Sequence, residues 1–340
     1  LRIFGPTKAA AQLESSKAFS KAFMRRHGIP TADYDTFTDP AAAHAFIDRL
    51  GAPIVIKADG LAAGKGVVVA MTLQEAHDAV DFMLVDNKYG VTHNEGGARV
   101  VIEQFLEGEE ASFIVLCDGK NVLALATSQD HKRLKDGDEG PNTGGMGAYS
   151  PAPVVTADVH ARAMREIILP TIRGMEKDGI PYTGFLYAGL MIDAKGHPKT
   201  LEFNCRMGDP ETQPILMRLK SDLVDVLGAA VDGKLDQIEV QWDRRTALGV
   251  VMAAHGYPES PRKGDPITGL PAEADDAVVF HAGTQLKDGV VSVTGGRVLC
   301  VTVLADSVKQ AQQRAYDVAR GIHFDGAQYR RDIGFRAIKN

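Results

Sequence analysis

Residues 201–214 read Leu-Glu-Phe-Asn-Cys-Arg-Met-Gly-Asp-Pro-Glu-Thr-Gln-Pro. Glu202 and Asn204 stand two apart, which on a strand places both side chains on one face. A carboxylate and an amide oxygen aimed the same way suit a hard divalent cation such as Mg²⁺. Arg206, Asp209 and Glu211 follow directly, and residues 182–193 supply an apolar partner strand. So many polar groups beside an apolar strand are costly to bury without a ligand or ion. The segment is therefore expected to meet a bound ligand or ion. Read alone, a polar strand end running into a loop also accounts for the segment.

The 340 residues suffice for two or three domains. With 38 Lys plus Arg against 44 Asp plus Glu, the net charge is −6, which argues against a general nucleic-acid or membrane-surface binder. An anionic substrate must then be held by a local basic patch. Cys117, Cys205 and Cys300 fit neither a metal spacing nor a disulfide framework, so a reducing, cytoplasmic setting is expected. There is no run of 18 apolar residues and no signal peptide. The chain starts at Leu1 in what reads as folded sequence, so a preceding segment is expected to be missing.

Along the chain, 15–27 reads as a helix capped by Ser15 or Ser16 and stopped by Gly28-Ile29-Pro30. Asp39-Pro40 opens a second helix and Gly51 closes it. Strands are expected at 53–58, 66–70 and 99–105, with Thr72-Leu-Gln-Glu75 as a capping box opening a helix to about 86. This alternation marks a small α+β unit. Two strands follow within 110–126, joined at Asp118-Gly119, then a long polar loop over 128–151 of the length usually found in functional segments. A helix over 156–177 should be disturbed at Pro170. A hairpin over 182–204 turns near Lys195-Gly196, and helices are expected at about 210–219 and 221–232. A composition shift near 236–245 marks a boundary. Strands at 246–254, 278–282 and 297–304 and a helix from Val308 capped by Asp306 or Ser307 complete the chain.

The run Val55-Ile-Lys57-Ala-Asp-Gly60-Leu-Ala-Ala-Gly64-Lys65-Gly66 is the second strong signal. Small residues let backbone N–H groups approach an anion closely, and two lysines eight apart can bracket a polyphosphate. It is not a Walker A loop: the spacing is one residue short, no Ser or Thr follows the lysine, and a strand rather than a helix comes next. A flexible hairpin with solvated lysines is the bland alternative, but an idle lysine inside the apolar strand around Lys57 is unusual. At 103–110, an apolar strand running into Glu103-Gln-Phe-Leu106-Glu-Gly-Glu-Glu110 offers backbone groups for an adenine edge and acidic side chains for a ribose. Taken alone, an acidic turn of this kind is more often a solvated one.

Lysine strand, hinge and Glu-x-Asn strand, in this order, resemble an ATP-grasp enzyme. The segments Ser128-Gln-Asp-His-Lys-Arg133, Gly140-Pro-Asn-Thr-Gly-Gly-Met-Gly-Ala-Tyr-Ser150 and Arg206-Met-Gly-Asp-Pro-Glu-Thr-Gln213 resemble the glycinamide ribonucleotide synthetase family, from Ile3-Phe-Gly-Pro-Thr7 to Asp332-Ile-Gly334. Met207 stands where that family usually has Phe. The resemblance implies an α+β fold of ATP-grasp type, two α+β subdomains clasping ATP, with a smaller C-terminal mixed α/β domain. The family's N-terminal domain, which there helps to form the phosphoribosylamine site, is largely absent. The expected division is 1–34 remnant and linker, 35–109 lid, 110–243 central subdomain and 244–340 C-terminal domain.

The implied activity joins glycine to 5-phosphoribosylamine with ATP through a glycyl phosphate, giving glycinamide ribonucleotide, ADP and phosphate in purine biosynthesis. Lys57 would contact the α/β-phosphates, and Gly64, Lys65 and Gly66 would close over the β/γ-phosphates. Glu103 and Leu106 would meet adenine through their backbone and Glu110 the ribose. Glu202 and Asn204 would hold Mg²⁺ or Mn²⁺. Arg206, Asp209 and Lys132 are the implied catalytic residues, Arg206 on the transferring phosphoryl or acyl oxygen and Asp209 or Glu211 on the glycine ammonium. His131, Arg133, Asn142, Thr143, Gly145, Met146 and Glu211 would line the substrate side, with a structural hydrogen bond the equal alternative for His131. The partners are small molecules, with no nucleic acid or membrane, and the expected state is a monomer or weak homodimer. The rival readings are another ATP-grasp carboxylate–amine ligase, a non-catalytic ATP-binding module, and one part of a multifunctional polypeptide, the last disfavoured because Asn340 closely follows the final family-like motif.

Overall fold

The structure is a computed structural model and describes residues 2–61, 66–88, 90–93, 96–272 and 274–338. Three antiparallel sheets organise them. In the lid sheet the strands Tyr34–Phe37, Val100–Gln104, Ile54–Ala58 and Val67–Ala70 lie side by side in that order. Its strands alternate: Ile54, Ile56 and Ala58 pack with Val100 and Ile102 under the helices Pro40–Leu50 and Leu73–Val80. The period of two therefore turns Lys57 and Glu103 to the opposite face. Asp39 and Thr72 cap those two helices as expected, Thr72 in a complete capping box. The second helix continues as a π turn over Asp81–Val85.

The central sheet runs Pro198–Asn204, Thr183–Ile192, Glu109–Asp118, Val122–Ala124. One face is apolar throughout, with Ala111, Phe113, Val115, Ala188, Leu190 and Phe203 in one core cluster. The other is divided. Ile114, Leu116 and Tyr187 pack beneath the helices Thr212–Met217 and Leu223–Val231. Further along, the same face carries Glu110, Ser112, Glu202 and Asn204, as the register Ser112↔Gly189↔Glu202 and Tyr187↔Asn204 requires. The expected hairpin over 182–204 thus forms with its two polar ligand candidates facing out of the core.

The third sheet runs Ala277–His281, Arg297–Ala305, Thr246–Ala253, Gly147–Ser150, Gln129–Asp130, and the helix Val308–Gly321 packs on it. Its last two strands lie inside the stretch expected to be a loop, so the sheet crosses the expected boundary at 243/244. The reason is that ladder bonds need only backbone groups, and Gly147–Ser150 is buried along its whole length without any apolar alternation to announce it. The remainder of the stretch folds as a short hairpin, Arg133–Lys135 with Glu139–Asn142. A second hairpin, Thr284–Lys287 with Val290–Val293, turns at Asp288-Gly289, both at positive φ, the usual chemistry of a two-residue turn.

Residues expected to be a remnant and linker are instead part of the central core. The helix Lys17–Arg26, capped by Ser16, buries Phe23 and Met24 completely, and Leu13 is 1% exposed. The helical stretch expected to be disturbed at Pro170 carries a π turn over Ala163–Ile168, just before the segment in which the proline takes an early position. Among the described residues no helix is long and apolar enough to cross a membrane.

Candidate functional site

A cleft of about 430 Å³ opens where the lid strand Ile54–Ala58, the helix Lys17–Arg26 and the edge strand Pro198–Asn204 meet. Lys17, Lys21, Lys57 and Arg206 line it against Glu14 and Glu202, four cations to two carboxylates. Lys57 is 5% exposed and donates to the Leu201 carbonyl at 3.2 Å. The Glu103 carboxylate, 2% exposed, forms ion pairs with both Lys57 and Lys21. Burial opposes the Lys57 charge, but Glu103 and Glu202 outweigh it and hold its pKa above the ordinary lysine value. Lys21 goes the other way: burial, with Lys57 beside it, brings it down to about 8 despite Glu103. Burial likewise lowers Lys17, which donates to the Gly60 carbonyl at 2.8 Å. Burial would raise Glu103, but Lys57 and Lys21 keep it below the usual carboxylate range.

One carboxylate thus neutralises two buried ammonium groups, and a third lies beside them. An uncompensated buried cation is unfavourable unless an anion joins it. The cleft is built to receive negative charge.

On the opposite wall, Glu202 is exposed and Asn204 half-buried. The Asn204 Oδ1 accepts from Arg206 Nη2 at 3.1 Å, and Arg206 Nε donates to Glu14 at 3.1 Å. Glu14 also accepts from the Cys205 N–H at 2.8 Å, fixing the turn after the strand. Among the described residues no three His, Cys, Asp or Glu side chains converge as a metal cage. The Glu202–Asn204 pair instead suits an ion that keeps most of its coordination for water and phosphate oxygens, the way Mg²⁺ is ordinarily held.

Further along the same face, Glu110 and Lys132 form an ion pair, each a little over 40% exposed. Lys132 holds Glu110 below the usual carboxylate range. Burial and the carboxylates of Glu211 and Glu110 push Asp130 upward, against Lys132. Glu211 is 3% exposed, and its Oε1 accepts from Ser112 at 2.9 Å and Tyr187 at 2.8 Å.

Several expected roles change. Glu103 sits in the ladder between Tyr34 and Val55, so its carboxylate, not its backbone, is what it offers. Leu106 lies past the strand end, half-buried, and the following Gly108 at φ +152° passes so close to the Ile192 carbonyl that a Cβ would come within 2.2 Å of it. That contact seats the hinge on the central sheet. His131 is fully buried, its Nε2 accepting from the Gly334 N–H at 3.2 Å, and burial with Arg336 and Arg330 nearby lowers it to about 3. It is a packing residue and not part of a substrate surface. Met146 is likewise 0% exposed in the C-terminal core. Arg133 donates to the Gly140 carbonyl at 2.7 Å, and Asn142 faces it across the hairpin, exposed. Thr143 ties the loop to the Lys132 carbonyl through its N–H and its hydroxyl. Gly66 is buried at the cleft wall, whereas Gly64 and Lys65 lie outside the described residues.

Glu14, Lys17 and Lys21 were not expected at the site. A signal for them exists: Lys17, Lys21 and Met24 fall at i, i+4, i+7, so the lysines share a stripe with a core methionine.

Two family models match the chain: phosphoribosylglycinamide synthetase, ATP-grasp (A) domain, over residues 15–212, and phosphoribosylglycinamide synthetase, C domain, over residues 247–336. A phosphoribosylamine–glycine ligase of Ralstonia nicotianae is 75% identical over 339 residues, 100% of this chain and 79% of that protein. The crystal structure of phosphoribosylamine–glycine ligase from Thermotoga maritima superposes with a TM-score of 0.87 at 39% identity, covering 97% of this chain and 81% of that one. The biotin carboxylase domain of a Hydrogenobacter thermophilus 2-oxoglutarate carboxylase, solved with MgADP, ADP and bicarbonate, shares the fold at a TM-score of 0.72 and 18% identity, covering 96% of this chain and 69% of that one.

Proposed function

The chain belongs to the phosphoribosylglycinamide synthetase family, ATP-dependent ligases that join glycine to phosphoribosylamine in purine biosynthesis, and from that premise we propose how its own residues carry the reaction. Its substrates are small molecules, and ATP-grasp enzymes use ATP with a divalent metal. The observation that carries the assignment of roles is the surplus of buried positive charge in the cleft, directly opposite the Glu202–Asn204 pair.

Glycine's carboxylate does not react with an amine, because its leaving group would be oxide. Transfer of the ATP γ-phosphoryl to that carboxylate gives glycyl phosphate, with phosphate as the leaving group. The amine of phosphoribosylamine then attacks the acyl carbon, and glycinamide ribonucleotide, ADP and phosphate result. Such a path needs positioning and charge neutralisation more than a protein nucleophile. Lys57, Lys21 and Lys17 bind the phosphates, and Leu106 and Glu110 border the nucleoside. Glu202 and Asn204 hold Mg²⁺, or Mn²⁺ in its place, which when bound neutralises charge developing on the phosphate oxygens. Arg206, bracing Asn204 from the turn, faces the transferring group with its planar donors. Lys132, held beside Glu110, and Asp209 and Glu211 stand on the amino-acid side, bordered by Arg133, Asn142, Thr143 and Gly145. The lid comprises about 35–109, and the central unit about 110–243 together with the residues before 35, whose helix Lys17–Arg26 forms one wall of the cleft. The enzyme works in the cytoplasm as a monomer or weak homodimer, in keeping with three free cysteines.

Substrate dependence tests this reading against other ligases of the same fold. ADP formation should require glycine and phosphoribosylamine together to reach full turnover, and other small carboxylic acids should not replace glycine. Equal turnover with an unrelated acid, or none with glycine, would overturn it.

A further inference from the structure

Asp209 and the Gly144-Gly145 turn belong to different parts of the chain, yet one side chain holds both. Arg297 opens the strand Arg297–Ala305 of the C-terminal sheet. Its Nη1 donates to the Gly144 carbonyl at 2.8 Å and the Asp209 carbonyl at 2.8 Å, and its Nη2 to Asp209 Oδ2 at 2.9 Å. The fit is close: a Cβ on Gly144 would lie 2.9 Å from the Arg297 guanidinium carbon. Gly145, at φ +119°, packs so tightly on Pro210 that a Cβ there would come within 2.4 Å of Pro210 Cδ. The Tyr257 hydroxyl, from the same C-terminal region, accepts from the Gly144 N–H at 2.9 Å.

Of the two carboxylates that could take the glycine ammonium, Glu211 is 3% exposed with one oxygen already accepting from Ser112 and Tyr187. Asp209 is 58% exposed, and Arg297 engages only its Oδ2. Asp209 also stands three residues after Arg206, which lines the cleft. Resting on the function proposed above, we infer that Asp209 receives the glycine ammonium and that Arg297 is the positioning residue that aims it. The C-terminal sheet thereby sets the geometry of the amino-acid site without touching the substrate. A carboxylate fixed by a bidentate-capable guanidinium is pre-aimed, whereas a free one must be ordered when glycine binds.

Three variants of the full chain test this: Arg297→Ala, Arg297→Lys and Asp209→Asn. Loss of a charge-assisted clamp should raise KM for glycine about tenfold or more in Arg297→Ala. KM for ATP should stay near the parent value, while the melting temperature falls by no more than the few degrees that the lost hydrogen bonds account for. Lysine should restore part of the loss, and methylguanidinium added to Arg297→Ala should lower KM for glycine again, which a merely structural residue would not show. If Arg297→Ala fails to fold, Arg297→Lys carries the same comparison. The inference falls if Asp209→Asn raises KM for glycine while both Arg297 variants leave it unchanged, or if KM for ATP rises in step with it. If Asp209→Asn itself leaves KM for glycine unchanged, the placing of the ammonium on Asp209 falls as well.

Discussion

Two buried polar clusters in this molecule look alike in composition and differ in how their charges close. In the C-terminal region Arg330, its side chain fully buried, pairs with Asp332 and with Asp138, and Asp138 also takes Arg336. Guanidinium and carboxylate match, and Arg330 Nη1 reaches the Arg133 carbonyl at 3.3 Å as well. In the cleft, Glu103 pairs with both Lys21 and Lys57, Glu202 acts on them from the opposite wall, and Lys17 lies close by. The first cluster ties the Arg133–Asn142 hairpin to the last segment of the chain, around Arg330–Arg336. The second keeps positive charge in reserve. A closed network signals structure, and one left open toward a cavity signals a ligand.

Substitutions on either side should separate the two clusters. Glu202→Ala removes the exposed carboxylate opposite the lysines. ADP formation is expected to fall by about a hundredfold or more, in the range of other losses of electrostatic stabilisation, with an unchanged thermal unfolding curve. Near-parent turnover would exclude the metal assignment. Arg330→Ala should do the reverse. Asp138 keeps Arg336 and Asp332 keeps the Gly137 N–H, both half-buried, so losing the guanidinium should cost about 1–3 kcal/mol of stability, read by denaturant unfolding, while KM for ATP of the folded enzyme stays put.

A pH series separates the clusters further. Lys21 sits near 8 in the fold, well under its value in the unfolded chain. Its charge is lost as pH rises through about 8, so kcat/KM for ATP should fall about tenfold per unit above that point. Lys21→Arg, permanently charged, should flatten the decline. Stability moves the opposite way: between about 8 and the ordinary lysine value the unfolded chain binds the extra proton, so folding is favoured as pH rises. His131 gives the smallest effect and the mirror case. It stays neutral in the fold down to about 3, while the unfolded chain takes a proton below about 6.5. Stability should therefore drop by at most about 1.4 kcal/mol per unit as the pH is lowered below 6.5, and His131→Gln should remove that share. An unchanged acid profile in the variant would contradict the buried, neutral assignment.

The same contrast explains what the sequence made legible. Glu202 and Asn204 were readable because two polar residues interrupt a strand pattern at its own period. Lys57 was readable because a lysine stands inside Val55-Ile-Lys57-Ala. Lys17 and Lys21 were harder to read: they share a stripe with Met24, but lysines on an amphipathic helix ordinarily mark its solvated side. Their partners come from the lid, Glu103 for Lys21 from some eighty residues away in sequence and the Gly60 carbonyl for Lys17. The strand Gly147–Ser150 was missed for a related reason. It is buried by both neighbours in its sheet, and its residues carry no periodic signal of their own. His131 looked chemical because it stands in a polar motif, and its burial depends on Gly334 and Phe335 far along the chain.

The proposed function places ATP's phosphates among Lys17, Lys21 and Lys57 with a divalent ion on Glu202 and Asn204. A crystal structure with a non-hydrolysable ATP analogue and Mn²⁺, whose anomalous signal locates the metal, tests it directly. The expected result is a peak within coordination distance of Glu202 and the Asn204 Oδ1, with the phosphates in contact with the three lysines. A metal peak and nucleotide found together anywhere else in the molecule would contradict it.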